Sequence, residues 1–401
     1  MLSPKTMTIV KATAPILDQH GEALTRHFYK RMFAHNPEVI PFFNPAHQVS
    51  GTQQKALAGA ICAYAANIDN LGALGGAVEL IAQKHASLQI KPEQYPVVGS
   101  NLLASIREVL GEGATDEVID AWAEAYGFLA DILIGREAQI YKDQAEANHG
   151  WDGFKPFRVV KKEKESEVIT SFYLVPEDGE GLRDFNPGQF ITVKIPTPCG
   201  HTTMRNYSLS DKPGRGYYRI SVKREGYVSN KLHDCVDVGA TLEVAPPCGE
   251  FFLELTTQDT CPLVFFAGGV GITPILSMLY SALDAMPNRK IVLLHACLHE
   301  EAQAFTDTLN ELAQQHQHFT VYHCYSEDAP KGVTRSSQAL NGWVSESVIA
   351  SLVPDGEADY YFCGPKPFMT SIYRQLVARG VPSTRMHYEF FGPREDLLNR
   401  Q

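Results

Sequence analysis

The sequence lacks closely spaced cysteines. Its eight cysteines are scattered, and no two form a C-x-x-C pair. Iron–sulfur clusters, zinc ribbons and covalent c-type haem all need such spacing, so the pattern disfavours all three. Cysteines without a framework are also typical of a reducing compartment, and we expect a cytoplasmic protein.

Long apolar runs and an excess of basic residues are missing as well. The longest apolar candidate, 263–276, is interrupted by glycines and falls short of the ~20 residues that a membrane helix needs. The N-terminus lacks the basic-then-apolar layout of a signal peptide. The formal net charge of −11 argues against nucleic acid or an anionic membrane as the main partner, because both attract basic surfaces. We expect no nucleic-acid partner and no obligate membrane association.

A chain of 401 residues is too long for one ordinary hydrophobic core. Its sequence shows three successive patterns of apolar residues, each typical of a different kind of domain. Apolar residues recur at helical spacing up to about residue 147, which predicts an all-α domain over 1–147. Short alternating strands separated by Pro and Gly predict an antiparallel β-barrel over 148–258. Apolar strands alternating with helices predict an α/β domain with a parallel sheet over 259–401.

In the helical segment, His85 lies on an apolar face, where a histidine is more often a satisfied core residue than a metal ligand. Glu137 argues for the ligand, because a carboxylate on an apolar helical stripe is costly unless it is paired. Pro92 and Pro96 are expected to mark the turn between two helical stretches. Tyr95, just past Pro92, would complete a His–Glu–Tyr network. A carboxylate on the far imidazole nitrogen makes the ring more electron-donating toward a metal.

Four further residues would line a pocket opposite His85. They are Tyr29, Phe43, Gln53 and Leu57, with Leu57 one helical turn after Gln53. Helical spacing alone fits Tyr29 and Leu57 equally well to an ordinary core. The predicted pocket therefore depends on the other residues of the segment.

The barrel segment contains a motif suited to a planar, phosphate-bearing cofactor, formed by Arg205, Asn206, Tyr207 and Ser208. The arginine can hold a phosphate while the aromatic ring stacks on the cofactor. Ser229 follows Gly226 at the start of a predicted helix ending near Cys235, where backbone N–H groups can bind a pyrophosphate. Taken alone, the first four residues fit ordinary surface and core positions at least as well.

Two glycine motifs follow strands of the parallel sheet. Gly268, Gly269, Val270, Gly271, Ile272 and Thr273 come directly after a buried strand, with Thr273 as the expected N-cap and Pro274 as the first helical residue. Cys363, Gly364 and Pro365 close another strand. Ligands of open parallel sheets bind beyond the carboxyl ends of the strands, so both motifs could frame one nicotinamide.

In this order the motifs of residues 155–401 resemble the ferredoxin-NADP reductase family. The resemblance implies that the Arg205–Ser208 motif contacts FAD and that 268–273 meet the nicotinamide cofactor. It implies that Phe190 begins a strand of the flavin domain. Related proteins often have a tyrosine there, so the contact that a tyrosine hydroxyl could make is absent. The terminal Glu389, Phe390, Phe391, Gly392 and Pro393 resemble the aromatic end that packs over the flavin.

The first 150 residues resemble a globin, and the whole chain resembles the bacterial flavohaemoglobins. The matching segments are 28–33, 82–85, which includes Lys84 as a cofactor-binding residue, 90–95 and 136–141. The resemblance implies haem b on His85, FAD, NADH or NADPH, and nitric oxide dioxygenase activity on NO and O₂. It assigns Tyr29 and Gln53 to the bound oxygen, and Tyr95 and Glu137 to His85.

Two other function classes remain open at this point. An oxygen or NO carrier or sensor would explain the globin but leave the reductase idle, and a reductase of other acceptors would appear as a side activity. We expect NADH rather than NADPH, because no Arg or Lys to hold a 2′-phosphate occurs between Leu293 and Phe305. We also expect a monomer.

Replacing Arg205 by alanine should lower the FAD stoichiometry of the purified protein and leave its haem content near normal. The expected loss follows from the phosphate contact assigned to the guanidinium, which lies far in sequence from the globin. Flavin and haem absorbance, measured on the same sample, report both quantities. An unchanged flavin-to-haem ratio would show that Arg205 does not hold FAD.

Overall fold

The computed structural model describes residues 2–197, 202–255, 261–327, 339–353 and 357–392. The first segment is helical, as the sequence predicts. Its α-helices are α1 (Pro4–His35), α2 (Pro45–Ser50), α3 (Thr52–Ala66), α4 (Gly75–Ser87), α5 (Gln94–Leu110) and α6 (Asp116–Glu146). Across the described residues, no helix combines the length and apolarity needed to cross a membrane.

The long helices α1 and α6 enclose the core of this segment. Side-chain hydroxyls of Ser3 and Thr115 accept backbone N–H groups at their N-termini, so each helix begins at a capped residue. Two buried side chains make hydrogen bonds between helices: Trp122 donates to the Thr13 hydroxyl at 3.0 Å, and the Tyr64 hydroxyl donates to the Ala125 carbonyl at 2.8 Å. These bonds fix α6 against α1 and α3.

An antiparallel sheet of six strands follows. The strands are β1 (Lys155–Lys164), β2 (Ile169–Pro176), β3 (Phe190–Pro196), β4 (Thr202–Ser208), β5 (Tyr218–Lys223) and β6 (Thr241–Val244). Their order is β4-β3-β6-β1-β2-β5, and helix α7 (Tyr227–Cys235) comes between β5 and β6. The two edge strands of this sheet are β4 and β5. A β-bridge between Leu209, directly after β4, and Ile220 of β5 connects the two edges, so the sheet closes into a barrel.

The last segment is the predicted parallel sheet. Its strands are β7 (Leu263–Gly268), β8 (Ile291–Cys297), β9 (Phe319–Tyr325), β10 (Ala339–Asn341), β11 (Asp359–Cys363) and β12 (Met386–Glu389). The order is β10-β9-β8-β7-β11-β12. The helices are α8 (Ile272–Ala285), α9 (Thr306–Gln315), α10 (Glu346–Leu352) and α11 (Lys366–Ala378). Ala267 lies opposite His295 and Cys363, so β7, β8 and β11 end side by side.

Two local predictions were wrong. Thr273 is not the N-cap of α8, because a 3₁₀ turn over Gly269–Gly271 runs directly into the helix and Gly271 takes the cap position. The Thr273 hydroxyl instead donates back to the Val270 carbonyl at 3.0 Å. Pro96 does not lie in the turn before α5 but inside its first turn, where a missing N–H costs no helical hydrogen bond.

Replacing Gly271 by alanine should destabilise the parallel-sheet domain. A Cβ at this position would lie 2.2 Å from the Cys363 carbonyl oxygen, a backbone atom that cannot move without shifting β11. Overpacking of this kind typically costs about 1–3 kcal/mol. Urea unfolding followed by domain-specific tryptic fragments measures the loss.

Gly127→Ala in α6 is the matched control, because nothing lies within 4 Å of the added methyl group. It should leave stability unchanged or raise it by about 1 kcal/mol, the helix propensity difference. Equal stabilities for Gly271→Ala and the wild type would show that the close approach to Cys363 is relaxed in solution.

Candidate functional site

His85, Tyr95 and Glu137 come together in the helical segment, although they lie on three different helices. His85 Nδ1 is 2.8 Å from Glu137 Oε1 and 3.1 Å from the Tyr95 hydroxyl. The Tyr95 hydroxyl donates to the same Oε1 at 2.5 Å. Glu137 is 2% exposed, whereas the His85 side chain is 33% exposed. The network therefore covers one edge of the imidazole and leaves the other edge accessible.

The Glu137 carboxylate fixes which ring nitrogen of His85 carries the hydrogen. Glu137 Oε1 accepts the Tyr95 hydroxyl and is therefore an acceptor toward His85 as well, so Nδ1 carries the hydrogen and Nε2 holds the lone pair. Burial raises the pKa of the Tyr95 phenol, and its hydrogen bond to Glu137 raises it further. Tyr95 thus remains a donor, and in the described residues every hydrogen bond of the His85 ring is made by Nδ1.

Two contacts that the sequence analysis missed lie near this network. The Tyr126 hydroxyl of α6 donates to the Tyr95 carbonyl at 2.6 Å, so the backbone of Tyr95 is tied to the helix that carries Glu137. Next to Glu137, Arg136 binds Glu79 of α4 through two bonds of 2.6 and 2.7 Å. The signal in the sequence was the phenol of Tyr126 on a buried stripe, since a buried hydroxyl needs a partner.

The other predicted pocket residues form a second group. Tyr29 is buried, and its ring lies 5.6 Å from that of Phe43, with Leu57 packed against the same core. Burial raises the pKa of the Tyr29 phenol, while a hydrogen bond with the Gln53 side chain acts in the opposite direction. Gln48 donates to Gln53 Oε1 at 2.8 Å, a contact that sequence reasoning missed. The Tyr29 phenol and the Gln53 amide are thus hydrogen-bonded to each other next to the apolar side chains of Phe43 and Leu57.

The donor set of the helical segment fits a haem. Iron would be held by the Nε2 atom of one neutral imidazole, whose other nitrogen is bonded to a carboxylate, as at many metal-ligating histidines. The rings of Phe43 and the neighbouring aromatic residues offer apolar surface to a porphyrin. Lys84, one residue before His85 on α4, is half-buried at the same turn. The role of each residue toward haem stays a prediction.

The predicted flavin residues occupy one stretch of the barrel. On β4, Arg205 and Tyr207 are half-buried, Asn206 is exposed and Ser208 is buried. Arg205 donates to the Thr203 hydroxyl at 2.9 Å and to the Met204 carbonyl at 2.6 Å. Phe190, at the start of β3, is buried and exchanges two backbone hydrogen bonds with Cys248. Three polar or aromatic side chains of β4 are thus at least partly exposed, while Phe190 lies in the core. Contact of these residues with FAD stays a prediction.

Ser229 has a local structural role that the sequence analysis did not foresee. Its hydroxyl accepts the backbone N–H groups of Glu225 and Gly226 at 3.0 and 2.8 Å and donates to the Gly226 carbonyl at 2.9 Å. It therefore closes the first turn of α7. A contact of Ser229 with FAD stays a prediction, and it would come in addition to these bonds.

The two glycine motifs of the parallel sheet pack directly on each other. A Cβ on Gly364 would lie 2.9 Å from the Gly268 Cα, and one on Gly268 would lie 3.0 Å from the Pro365 ring. Gly269 differs, because it has a φ of +52° and nothing lies within 4 Å of an added Cβ. Gly268 and Gly364 therefore permit close packing, while Gly269 leaves its backbone open to a ligand.

A buried histidine supports Gly269 from beneath the loop. His295 Nε2 lies 3.2 Å from the Gly269 carbonyl oxygen, and the ring is completely buried. Burial lowers the pKa of His295 to about 3, with a further contribution from His323 on the neighbouring strand. The ring is therefore neutral at pH 7 and donates through Nε2. The sequence analysis did not single out His295.

The predicted aromatic end lies beside the same strands. Glu389 of β12 is paired with Cys363 of β11. Phe390 packs edge-on against Tyr388 at 6.0 Å, and Phe391 is exposed. Gly392 is the last described residue, and Pro393 lies outside the described residues. Cover of the flavin by these residues stays a prediction.

Glu137→Gln should lower the iron–histidine stretching frequency and slow turnover, while haem remains bound. The variant keeps an oxygen for Tyr95, but its amide replaces an oxygen, Oε2, that has no hydrogen-bond partner among the described residues. Changes beside a metal-ligating histidine typically lower activity about 10- to 100-fold. Resonance Raman spectroscopy of the ferrous protein measures the frequency.

Glu79→Gln is the control, because it also removes a carboxylate between α4 and α6 but belongs to the Arg136 pair. It should leave the stretching frequency at the wild-type value. Identical spectra for Glu137→Gln and the wild type would show that Glu137 does not affect the electron donation of His85 to iron.

Family comparisons agree with this three-part arrangement. The globin family matches residues 26–133, the oxidoreductase FAD-binding domain matches 156–253, and the oxidoreductase NAD-binding domain matches 265–374. The flavohemoprotein of Rhodopirellula baltica is 50% identical and covers 99% of this chain and 100% of its own. That of Rhizobium meliloti is 47% identical, with coverage of 98% and 99%.

Solved structures give the same result. A flavohemoglobin from Malassezia yamatoensis with bound FAD and heme covers 98% of this chain and 100% of its own, with a TM-score of 0.87 and 26% identity. The FAD/NAD-binding domain of a nitric oxide dioxygenase from Vibrio cholerae covers 60% of this chain and 99% of its own, with a TM-score of 0.54 and 33% identity. Because it is related end to end to the flavohemoproteins of Rhodopirellula baltica and Rhizobium meliloti, the chain belongs to the flavohemoprotein family.

Proposed function

We propose that the protein is a nitric oxide dioxygenase, which converts NO and O₂ to nitrate with electrons from NAD(P)H. The observation that carries the proposal is the His85–Glu137–Tyr95 network in a globin that shares one chain with a flavin and a nicotinamide domain. The Vibrio cholerae relative, whose name states this activity, supports it. A plain oxygen carrier or sensor would give the two reductase domains no task.

Haem, FAD and NAD(P)H together would supply the redox chemistry, since flavin accepts a hydride as an electron pair and can release single electrons to iron. The protein's own residues hold and tune these groups. His85 offers Nε2 to iron because Glu137 and Tyr95 engage Nδ1. Tyr29 and Gln53, which are hydrogen-bonded to each other, would donate hydrogen bonds to O₂ where negative charge develops.

Several finer assignments belong to the same proposal. NADH is the preferred donor, because 293–305 contains no Arg or Lys for a 2′-phosphate. The domain boundaries lie near 147 and 258, outside the segments that the family models match. The protein acts as a cytoplasmic monomer, and activity toward other acceptors is a side reaction.

The decisive experiment compares NADH oxidation under O₂ alone with oxidation under O₂ plus NO, while nitrate is measured. Fast NADH oxidation and stoichiometric nitrate only in the presence of NO support the dioxygenase. The same slow oxidation in both conditions, without nitrate, would contradict it. NADPH in place of NADH tests the nucleotide preference in the same assay.

Tyr29→Phe should speed O₂ release roughly tenfold or more, because a hydrogen bond to a charged acceptor contributes about 1.5–3 kcal/mol and each ~1.4 kcal/mol is a factor of ten. Stopped-flow O₂ dissociation measures the rate. Electron transfer from FAD should be unchanged, since Tyr29 lies in the globin core.

Tyr64→Phe is the matched control, because it removes a buried phenol of the same domain that donates to the Ala125 carbonyl. O₂ release from this variant should equal that of the wild type. If nitrate forms normally but Tyr29→Phe releases O₂ at the wild-type rate, the dioxygenase assignment stands and Tyr29 has no part in holding O₂.

A further inference from the structure

A buried ion pair lies where the antiparallel barrel meets the parallel-sheet domain. Arg219 of β5 is 7% exposed, and Asp211, just after β4, is 5% exposed. Arg219 Nη1 lies 3.7 Å from Asp211 Oδ2, and Nε donates to the Ser210 hydroxyl at 3.1 Å. Nη2 donates to the Ser210 carbonyl. The guanidinium is therefore held by the segment that directly follows the predicted flavin motif.

Three aromatic rings surround this guanidinium, and two of them belong to the other domain. Its central carbon lies 5.9 Å from the Tyr173 ring of β2, 6.0 Å from the Tyr280 ring of α8 and 5.1 Å from the Phe305 ring. Phe305 is the residue before α9 and has a φ of +64°, which is uncommon for a bulky side chain. The parallel-sheet domain thus presents two aromatic faces to one buried charge.

Asp211 makes its own bond to the second domain. Its carbonyl accepts the Ser277 hydroxyl of α8 at 2.7 Å, and both residues are buried. Its carboxylate accepts the Tyr217 hydroxyl at 2.9 Å and lies 3.5 Å from the guanidinium of Arg215. The charged groups of this cluster are thus paired within the barrel segment, and the Ser277 hydroxyl bonds the cluster to the second domain.

The cluster lies close in sequence to both cofactor motifs. Asp211 follows Ser208 of the flavin motif by three residues, and Ser277 follows Thr273 of the nicotinamide motif by one helical turn. The bond between Ser277 and Asp211 therefore connects the segment that follows the flavin motif to the helix that begins at the nicotinamide motif. Both ends belong to the same compact unit of the molecule.

Apolar packing across the joint does not by itself fix an orientation. Ile169 and Phe251 of the barrel segment share a core with Ile275 and Met278 of α8, but such burial is non-directional. A buried ion pair with defined hydrogen bonds adds little net stability, whereas it selects one arrangement of its partners. Arg219 and Asp211 make the directional contacts with Ser277, Tyr280 and Phe305 that apolar packing does not provide.

We propose that Arg219 and Asp211 are positioning residues that set the nicotinamide domain on the flavin barrel at the distance hydride transfer requires. The inference rests on the proposed function, because it assumes that FAD and NADH occupy the two motifs. A misplacement of about 1 Å between reacting groups can lower a rate about 100-fold. Small rotations at the joint would therefore appear in the rate of flavin reduction.

The test uses the purified holoenzyme with Arg219→Met and Asp211→Asn. Anaerobic stopped-flow mixing with NADH gives the limiting rate of flavin reduction per bound FAD and the NADH concentration at half-saturation. We expect the limiting rate to fall about tenfold or more through misalignment. The half-saturating NADH concentration should change far less, and the primary deuterium isotope effect should rise. Hydrogen–deuterium exchange should quicken in peptides covering 209–223 and 272–285.

Arg224→Met is the control, because Arg224 follows the same strand but forms an exposed pair with Asp234. It should match the wild type in every measurement. A purely structural role would lower the FAD content and the unfolding temperature of Arg219→Met while leaving the limiting rate per FAD unchanged, and that outcome would overturn the proposal.

Ser277→Ala keeps the test open if the charged variants do not fold, since it removes a single hydroxyl from the joint. It should lower the limiting rate and quicken exchange in the same peptides, to a smaller extent than Arg219→Met. Wild-type values for Ser277→Ala would also contradict the proposal. Flavin reduction is measured without NO or O₂, so a failure of the nitrate assay would leave this result standing.

Discussion

The carboxylate of Glu137 is the constraint on which the helical site depends. It is buried on α6, and its Oε1 faces both His85 Nδ1 and the Tyr95 hydroxyl. A buried carboxylate is tolerated when such partners surround it, so helices α4, α5 and α6 must hold these three residues together. The protonation of the imidazole follows from this arrangement, since Nδ1 must donate. Nε2 is left to bind a metal.

Backbone shape has the corresponding role in the parallel-sheet domain. Gly268 and Gly364 bring two strand ends into direct contact, and Gly269 adopts a left-handed conformation that leaves its backbone open. Side chains contribute by supporting this loop, as His295 does through the Gly269 carbonyl. The predicted nicotinamide site would thus be made of main-chain groups, which suits a ligand whose phosphates accept N–H donors.

The order of the domains and the type of each sheet could be predicted from the sequence, because apolar periodicity reflects burial directly. The partnership of His85 with Glu137 was predictable for a similar reason, since a carboxylate on an apolar stripe demands a partner. Details that depend on main-chain geometry were not predictable. The 3₁₀ turn before α8 moved the helix start to Ile272 and gave Thr273 a different hydrogen bond.

Long-range pairings were missed for another reason. Arg219 is separated from Asp211 by eight residues and from Phe305 by more than eighty. Nothing in the sequence indicates that an arginine on a strand is buried, as Arg219 is. Ser229 shows the converse limit, because a residue chosen for a cofactor also closes the first turn of its own helix. A single sequence does not separate these two roles, since both need a hydroxyl at a helix start.

The neutral histidines under the nicotinamide loop have a thermodynamic consequence. Burial lowers the pKa of His295 to about 3 and that of His323, opposite it on β9, to about 4. An unfolded chain would protonate both near pH 6.5, so below that pH the unfolded state binds more protons than the folded state. The stability that both contribute is complete above pH 6.5 and declines as pH falls toward 4 and 3. Acidification therefore destabilises the parallel-sheet domain, which contains both histidines. The contact between His295 and Gly269 is unaffected by pH changes near neutrality.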